Sequence, residues 1–188
     1  AAHRVAMAGA MFCFVLGDVG SSLAQAFLPM YYDEAKAGRS KFFVDAFDLA
    51  AARPAITTVL RVCWAIAGVA VAVSSTIISR GTWAFTKDAG VAAAITRVLP
   101  MTALTLAGHS SAVTLEGVLL VQRRFGFLCA MYAVLGVASA ALHRAILVTP
   151  GQGLFAIWQV YVAFQVTRCF AFAWRGGLFS KRDAERAA

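Results

Sequence analysis

Residues 97–127 decide the fold of this chain, and they read RVLPMTALTLAGHSSAVTLEGVLLVQRRFGF. From Leu99 to Val121 the stretch is long enough to cross a bilayer, which takes about 20 mainly apolar residues. It nevertheless contains Pro100 near its start, His109 midway and Glu116 near its end. A carboxylate in hydrocarbon costs roughly 3 kcal/mol on insertion scales, and such residues usually face a bundle interior or a cavity. The stretch therefore predicts a membrane-spanning helix that does more than anchor the protein.

The composition of the whole chain is that of a membrane protein. Of its 188 residues, 61% are hydrophobic and 14% are charged, against about 25% charged residues in ordinary globular proteins. The net charge of +8 does not indicate nucleic acid, because the basic residues are scattered between apolar runs. That distribution is typical of loops that contact anionic lipid headgroups. Membrane lipid is therefore an expected partner and nucleic acid is not.

Apolar runs of spanning length predict a single-domain, all-α, polytopic transmembrane helix bundle with about five spans over residues 1–188. The predicted spans are Val5–Met30, Ala55–Ile78, Leu99–Val121, Phe125–Leu147 and Leu154–Trp174.

The segments between these spans are polar or amphipathic. Residues 33–54 form the longest connection, in which the apolar residues of 42–49 predict a short amphipathic helix on the membrane surface. Residues 79–88 are expected to be a loop, and 89–98 an amphipathic lead-in to the third span. Pro100 should bend or begin that span, because proline removes a backbone donor. Residues 175–188 are a polar, basic tail.

The distribution of lysine and arginine predicts the orientation. With five spans, one side receives Arg4, Arg80, Lys87, Arg97 and Arg144, and the other side receives the remaining twelve of the 17 basic residues. Basic residues favour the cytosolic side. The C-terminus is therefore expected in the cytosol, or in the stroma if the membrane belongs to a plastid.

Two carboxylates within the spans are the main site candidates. Glu116 is a candidate for binding a proton or cation, because burial raises the pKa of a carboxyl group; the alternative is a structural ion pair with Arg168 or Arg123. Asp18 lies in the middle of the first span. It is a candidate for ion coupling or substrate binding, or alternatively for a hydrogen bond to neighbouring serines.

Other polar residues in the spans are weaker candidates for a functional site. Gln25, Gln159 and Gln165 are expected to hydrogen-bond across helices or to line a substrate path. Arg168 is an ion-pair candidate, with a carboxylate or a lipid phosphate as its partner. His109 is expected mainly to pack, although it could ligate a metal or chlorophyll magnesium, or relay a proton.

The sequence has no pattern typical of an enzyme. It shows no nucleophile–base constellation, phosphate loop or metal cluster, so no catalytic residue and no metal ligand set are predicted. The cysteines Cys13, Cys63, Cys129 and Cys169 each lie in an apolar run without metal-type spacing. They are expected to be small buried hydrophobic residues without disulfides. No cofactor is predicted, and chlorophyll or carotenoid contacts are the alternative.

Three segments resemble the multidrug and toxic compound extrusion (MATE) family. They are Leu99–Pro100 with the later LEGVLL, the basic pair and FGFL; SSLAQAFLP at 21–29; and GLFAIWQVYVAFQVTR at 153–168. Their order and spacing resemble the second, fourth and sixth helices of the family's C-terminal lobe, in its plastid-type plant and algal branch. One departure is Arg123-Arg124, where such relatives tend to have Arg-Asp.

The resemblance implies a partial C-lobe of a cation-coupled antiporter of organic solutes. It implies a plastid membrane, thylakoid or envelope, and the same orientation as the basic residues predict. The family's N-lobe and first C-lobe helix have no counterpart here, so the expected partner is that N-lobe or other membrane subunits. The alternative is a transporter-derived structural subunit of a large membrane complex, for example a photosynthetic one.

Overall fold

The structure is a computed structural model that describes residues 2–32, 46–151 and 153–179. This part of the chain is an all-α membrane helix bundle, as its composition predicts. Its elements are α1 (Ala2–Gly17), α2 (Val19–Phe27), a 3₁₀ turn (Leu28–Tyr31), α3 (Leu49–Phe85), α4 (Ala89–Val121), α5 (Phe125–Val148) and α6 (Leu154–Arg175).

Four of the described helices, α3 to α6, are long and apolar enough to cross a membrane, judged by length and composition. The predicted first span is instead divided at Asp18 into α1 and α2. Asp18 keeps a helical backbone (φ −66°, ψ −17°), and its amide donates to the Phe14 carbonyl at 3.2 Å. Helical hydrogen bonding therefore continues across the division.

The central helix is α4, which packs against α1, α2, α3 and α6. Its buried threonine hydroxyl groups have partners within the helix: Thr102 donates to the Val98 carbonyl, Thr105 to the Met101 carbonyl and Thr114 to the Ser110 carbonyl. Because these groups are satisfied one turn back, they enter the core without an unpaired donor. α5 lies at the side of the bundle against α6, and most of its side chains are exposed.

Glycine lets α2 approach α4 closely. A Cβ on Gly20 would lie 2.0 Å from the Thr114 Oγ1 and 2.7 Å from the Cys63 Sγ. A Cβ on Gly117 would lie 2.8 Å from the Ser21 Cα. Small residues at such contacts are typical of helix packing in membranes.

Contacts at the two ends show that α1 and α2 together traverse the bundle. At one end the Tyr32 hydroxyl donates to the Val121 carbonyl, and Arg53 Nη2 donates to the Leu178 carbonyl at 2.7 Å. At the other end the His3 ring lies 6.2 Å from the Trp158 ring, centroid to centroid. The residues of the predicted first span therefore form two helices in series, which extend from one end of the bundle to the other.

Several predicted boundaries are wrong because the helices extend beyond the apolar runs. α3 includes residues 49–54 and 79–85, which were predicted to be connections, and Pro54 lies inside it. α4 begins directly after Asp88, whose Oδ1 accepts from the Gly90 amide at 2.8 Å and the Val91 amide at 3.2 Å. Because this cap starts the helix at Ala89, residues 89–98 belong to the continuous helix α4 and not to a separate lead-in.

Pro100 does not begin the third span, since α4 runs through it to Val121. Membrane helices tolerate an internal proline, because other groups satisfy the freed carbonyl. Residues 42–45 of the predicted amphipathic helix at 42–49 lie outside the described residues, as do 180–188 of the predicted tail. Among the described cysteines, Cys63 is buried but Cys129 is exposed, which corrects the expectation for Cys129.

Candidate functional site: a polar network inside the bundle

Six polar side chains from four parts of the bundle form one connected network between its helices. We call this set the polar network; its members, in order of contact, are Asp18, His109, Gln165, Arg168, Glu116 and Tyr132. It contains two carboxylates, an imidazole and a guanidinium. Such groups within membrane helices are rare and mark ion or substrate pathways.

Helical spacing and close packing bring these residues together. His109 and Glu116 are seven residues apart on α4, about two turns, so they lie on one face. Gln165 and Arg168, three residues apart on α6, also share a face. Gly108 allows the two faces to meet, because a Cβ there would lie 2.9 Å from the Gln165 Cβ. α4 and α6 therefore present their polar residues to each other at short range.

At one end of the network, Glu116, Arg168 and Tyr132 form what we call the Glu116 cluster. Arg168 Nη2 lies 2.9 Å from Glu116 Oε2, and the Tyr132 hydroxyl bonds to both side chains. Arg168 is 5% exposed. Its guanidinium also lies 5.1–5.6 Å from the ring centroids of Tyr132, Phe164 and Phe172. Charge, hydrogen bonds and aromatic faces thus hold Arg168 in one place.

At the other end, Asp18 and His109 form the Asp18 pair. His109 Nε2 lies 3.3 Å from Asp18 Oδ1. The Asp18 side chain is 62% exposed and that of His109 is 16% exposed. The Phe14 ring packs edge-on against His109 at 4.6 Å, and Gly17 leaves room for the imidazole, since a Cβ there would lie 2.8 Å from His109 Cδ2. The carboxylate of this pair is therefore the accessible one.

A cavity of about 500 Å³ borders the network between α1, α4, α5 and α6. Its wall includes Asp18, His109, Gln165 and Arg168. The rest of the wall is mainly apolar and aromatic; it is formed by Met11, Phe14, Val15, Val160, Tyr161 and Phe164, together with Ser139 and His143. An apolar cavity with a few convergent polar groups is the usual form of a binding site for an organic molecule.

The structure thus brings five of the seven polar residues singled out in the sequence into one network: Asp18, His109, Glu116, Gln165 and Arg168. It leaves Gln25 and Gln159 outside. Gln25 bonds to Ser21 Oγ at 3.0 Å within its own helix, so the expected cross-helix bond is wrong for this residue. Gln159 borders a separate groove between α5 and α6.

The structure confirms the structural alternative for Glu116, an ion pair with Arg168, but not the one for Asp18, a hydrogen bond to neighbouring serines. Glu116 pairs with Arg168, while the Arg123 guanidinium lies 5.9 Å from the Tyr32 ring centroid. The Asp18 carboxylate meets His109; the Ser22 hydroxyl reaches only the Asp18 backbone carbonyl, at 3.5 Å.

Sequence reasoning missed Tyr132 and gave His109 too small a role. The seven-residue spacing of His109 and Glu116 was a usable signal, because it places them on one face. Nothing in the sequence of α5 distinguishes Tyr132, which joins the site only because α5 packs on α6.

Metal ligation is not supported by this arrangement. No three His, Cys, Asp or Glu side chains among the described residues are grouped so as to hold a metal ion. Both ring nitrogens of His109 have protein partners, Asp18 and Gln165. Axial ligation of chlorophyll magnesium by His109 would therefore require one of these contacts to break.

Comparison of the chain with protein-family models, curated proteins and solved structures gives no match.

Proposed function

We propose that this chain is one helical bundle of an ion-coupled transporter of organic solutes, and that Asp18 is its coupling carboxylate. The single observation that carries the proposal is the polar network beside the 500 Å³ cavity. A purely structural bundle gains nothing from exposing a carboxylate beside an apolar cavity, because each ionisable group in the membrane is costly.

The two carboxylates have different roles in this proposal. Glu116 is compensated by Arg168 at 2.9 Å and by Tyr132, so it serves to hold α4, α5 and α6 together. Separating the two side chains would leave each charge without a partner, and the free-energy cost of doing so keeps the ion pair formed. Among the described residues, the Asp18 carboxylate pairs with His109, and the Asp18 side chain is exposed, so an ion can reach it. Coupling is therefore assigned to Asp18.

The cavity is the proposed site of the organic solute. The aromatic rings of Phe14, Tyr161 and Phe164 supply apolar contact area, and Asp18 lies in the same wall. A solute and a proton or cation at Asp18 would occupy adjacent positions. Binding of one would then change the environment of the other, which is the requirement for coupling.

Transport requires a second bundle in addition to this one. Alternating access is commonly a rocking of one repeat or bundle against another around a central site. Met11 and Val15, which are 55% and 65% exposed, lie beside Asp18 in the cavity wall and offer a surface for that second bundle. The resemblance to the MATE C-lobe implies an N-lobe as the second bundle, supplied by the same polypeptide or by a partner.

The test is solute-coupled proton or cation movement in proteoliposomes that contain this bundle together with its second bundle. We expect Asp18→Asn to lose at least about tenfold in coupled uptake of a planar cationic dye, equivalent to about 1.4 kcal/mol. Asp88→Asn makes the same chemical change at a helix N-cap outside the predicted spans, and asparagine also caps well. Equal transport by both variants would contradict the proposal.

A structural subunit is the second candidate, and the exposed surface of α5 favours it. Val134, Val137 and Leu147 are 64%, 73% and 77% exposed, and Leu128 is the buried residue of this helix. Another membrane subunit could cover this face, as lipid could. Native mass measurement after mild detergent extraction separates the candidates: a two-bundle transporter and a large assembly differ greatly in mass.

A further inference from the structure

Gln165 lies between the two halves of the polar network and contacts both. Arg168 Nη1 donates to Gln165 Oε1 at 2.9 Å, and Gln165 Nε2 lies 3.4 Å from His109 Nδ1. Gln165 is buried, with 5% exposure, although it also lines the cavity. It is the side chain through which the Glu116 cluster touches the Asp18 pair.

Arg168 determines which way the Gln165 amide points. A guanidinium has only donors, so the amide atom that faces it must be the carbonyl oxygen. Arg168 is itself held by Glu116, Tyr132 and three aromatic rings. The NH₂ group of Gln165 is therefore directed at His109 and cannot exchange places with the oxygen without losing the bond to Arg168.

The amide in turn determines the tautomer of His109. An NH₂ group only donates, so Nδ1 of the imidazole must be the unprotonated, accepting nitrogen. In a neutral imidazole the proton then resides on Nε2. Nε2 is the nitrogen that lies 3.3 Å from Asp18 Oδ1, so His109 donates to the Asp18 carboxylate.

We propose that Gln165 is a positioning residue that fixes His109 as the Nε2–H tautomer and links the Glu116 cluster to the Asp18 pair. A change in the charge of Glu116 weakens its ion pair with Arg168, and Arg168 then no longer fixes the orientation of the Gln165 amide. A reoriented amide changes the hydrogen bond that His109 donates to Asp18. The link to ion coupling rests on the proposed function, whereas the tautomer and the linkage follow from the hydrogen-bond geometry alone.

The direct test is ¹⁵N NMR of the imidazole nitrogens in histidine-labelled protein in lipid. The chain has three histidines, and the signals of His109 are identified as those that disappear in His109→Asn. Spectra are recorded about two pH units above the ordinary histidine pKa of about 6.5, so that a neutral ring gives a tautomer signature. We expect the Nδ1 signal of the wild type at the position of an unprotonated nitrogen. A protonated Nδ1 in the wild type would overturn the proposal.

Gln165→Glu is the sharpest variant because it is nearly isosteric. A carboxylate still accepts from Arg168, but it also presents an acceptor to His109 in place of the NH₂ donor. We expect the Nδ1 signal to move to the position of a protonated nitrogen. Gln159→Glu, on the same helix but outside the polar network, is the matched control and should leave the His109 signals unchanged. An unmoved Nδ1 signal in Gln165→Glu would overturn the proposal.

The linkage is tested by a double-variant comparison with the same signals. Glu116→Gln should shift the His109 signals when Gln165 is present, and should shift them several-fold less in a Gln165→Leu background. Equal shifts in both backgrounds would overturn the linkage. Transport is assayed separately: if the NMR results hold while Asp18→Asn transports normally, the proposed function fails and the positioning role of Gln165 stands.

Discussion

Arg168 Nη2 lies 2.9 Å from Glu116 Oε2, and this ion pair joins α6 to α4 inside the bundle. Both residues stood out in the sequence as charged groups that are costly within apolar spans. Pairing of the two opposite charges offsets that cost. Because the Tyr132 hydroxyl bonds to both, the pair also ties α5 to the two inner helices.

The first prediction concerns this pair. Arg168→Leu leaves Glu116 without its cation, and we expect a loss of about 3–5 kcal/mol in the free energy of unfolding. Glu116→Leu combined with Arg168→Leu should be less destabilising than Arg168→Leu alone, because no charge is then left unpaired. The measurement is unfolding in mixed detergent micelles. Arg144→Leu, an exposed arginine on α5, is the control. A double variant less stable than Arg168→Leu would contradict the expectation.

The second prediction concerns helix contact at the glycines. Gly117→Ala should destabilise the bundle by about 1–3 kcal/mol, because its Cβ would meet backbone atoms of Ser21, which cannot move aside as a flexible side chain could. Gly136→Ala on α5 is the matched control. A Cβ at Gly136 meets nothing within 4 Å, and alanine is the better helix former by about 1 kcal/mol. The two variants should shift the melting temperature in opposite directions. Shifts of the same sign would show that α2 and α4 are not in contact at Gly117.

The bundle and its apolar spans were predictable because hydropathy over a window the length of the bilayer is a local property of the sequence. The ends of the helices could not be predicted from hydropathy. α3 and α4 continue past the apolar runs because the backbone remains hydrogen-bonded there, and the Asp88 cap, rather than hydropathy, fixes the start of α4. The division of the first span at Asp18 was also missed, since a single aspartate in an apolar run does not by itself specify a break.

The site was predictable as a set of residues but not as an arrangement. Asp18, Glu116 and Arg168 were recognisable because charge within a span is costly. Their partners depend on which helices pack together, and α4 meets α6 through Gly108 and Gln165, residues far apart in sequence. For the same reason Tyr132 carried no signal, and Gln25 and Gln159 looked equivalent to Gln165 although only Gln165 enters the network.

The third prediction concerns Tyr32, whose hydroxyl donates to the Val121 carbonyl at the end of the bundle. Burial raises the pKa of Tyr32, against the opposing effect of nearby Arg123. Because the folded pKa lies above the ordinary value of 10.0, the neutral hydroxyl contributes stability below that pH, and the contribution is lost as the pH rises through the folded pKa.

Tyr32→Phe should therefore cost about 1 kcal/mol near neutral pH, the usual value of one hydrogen bond. The difference in melting temperature between wild type and variant should shrink as the pH is raised above 10.0. Tyr31→Phe removes a hydroxyl from the same turn and serves as the control. A difference that grew with pH would mean that the anionic form is favoured in the folded protein, contrary to the effect of burial.

The last prediction tests whether α1 and α2 together cross the membrane despite the division at Asp18. Single cysteines are introduced in a cysteine-free background by Arg4→Cys, Met30→Cys, Lys87→Cys and Phe179→Cys, at four exposed positions outside or at the ends of the spans. Sealed vesicles are then treated with a membrane-impermeant thiol reagent.

The contacts of Tyr32 with Val121 and of Arg53 with Leu178 place the ends of α2, α4 and α6 and the start of α3 together. We therefore expect residues 30 and 179 to label from one side, and residues 4 and 87 from the other. The excess of basic residues predicts that 30 and 179 are on the cytosolic or stromal side. Labelling of residues 4 and 30 from the same side would show that Asp18 marks a re-entrant bend rather than a crossing, and would place Asp18 at the tip of that bend instead of in the membrane interior that the proposed coupling role requires.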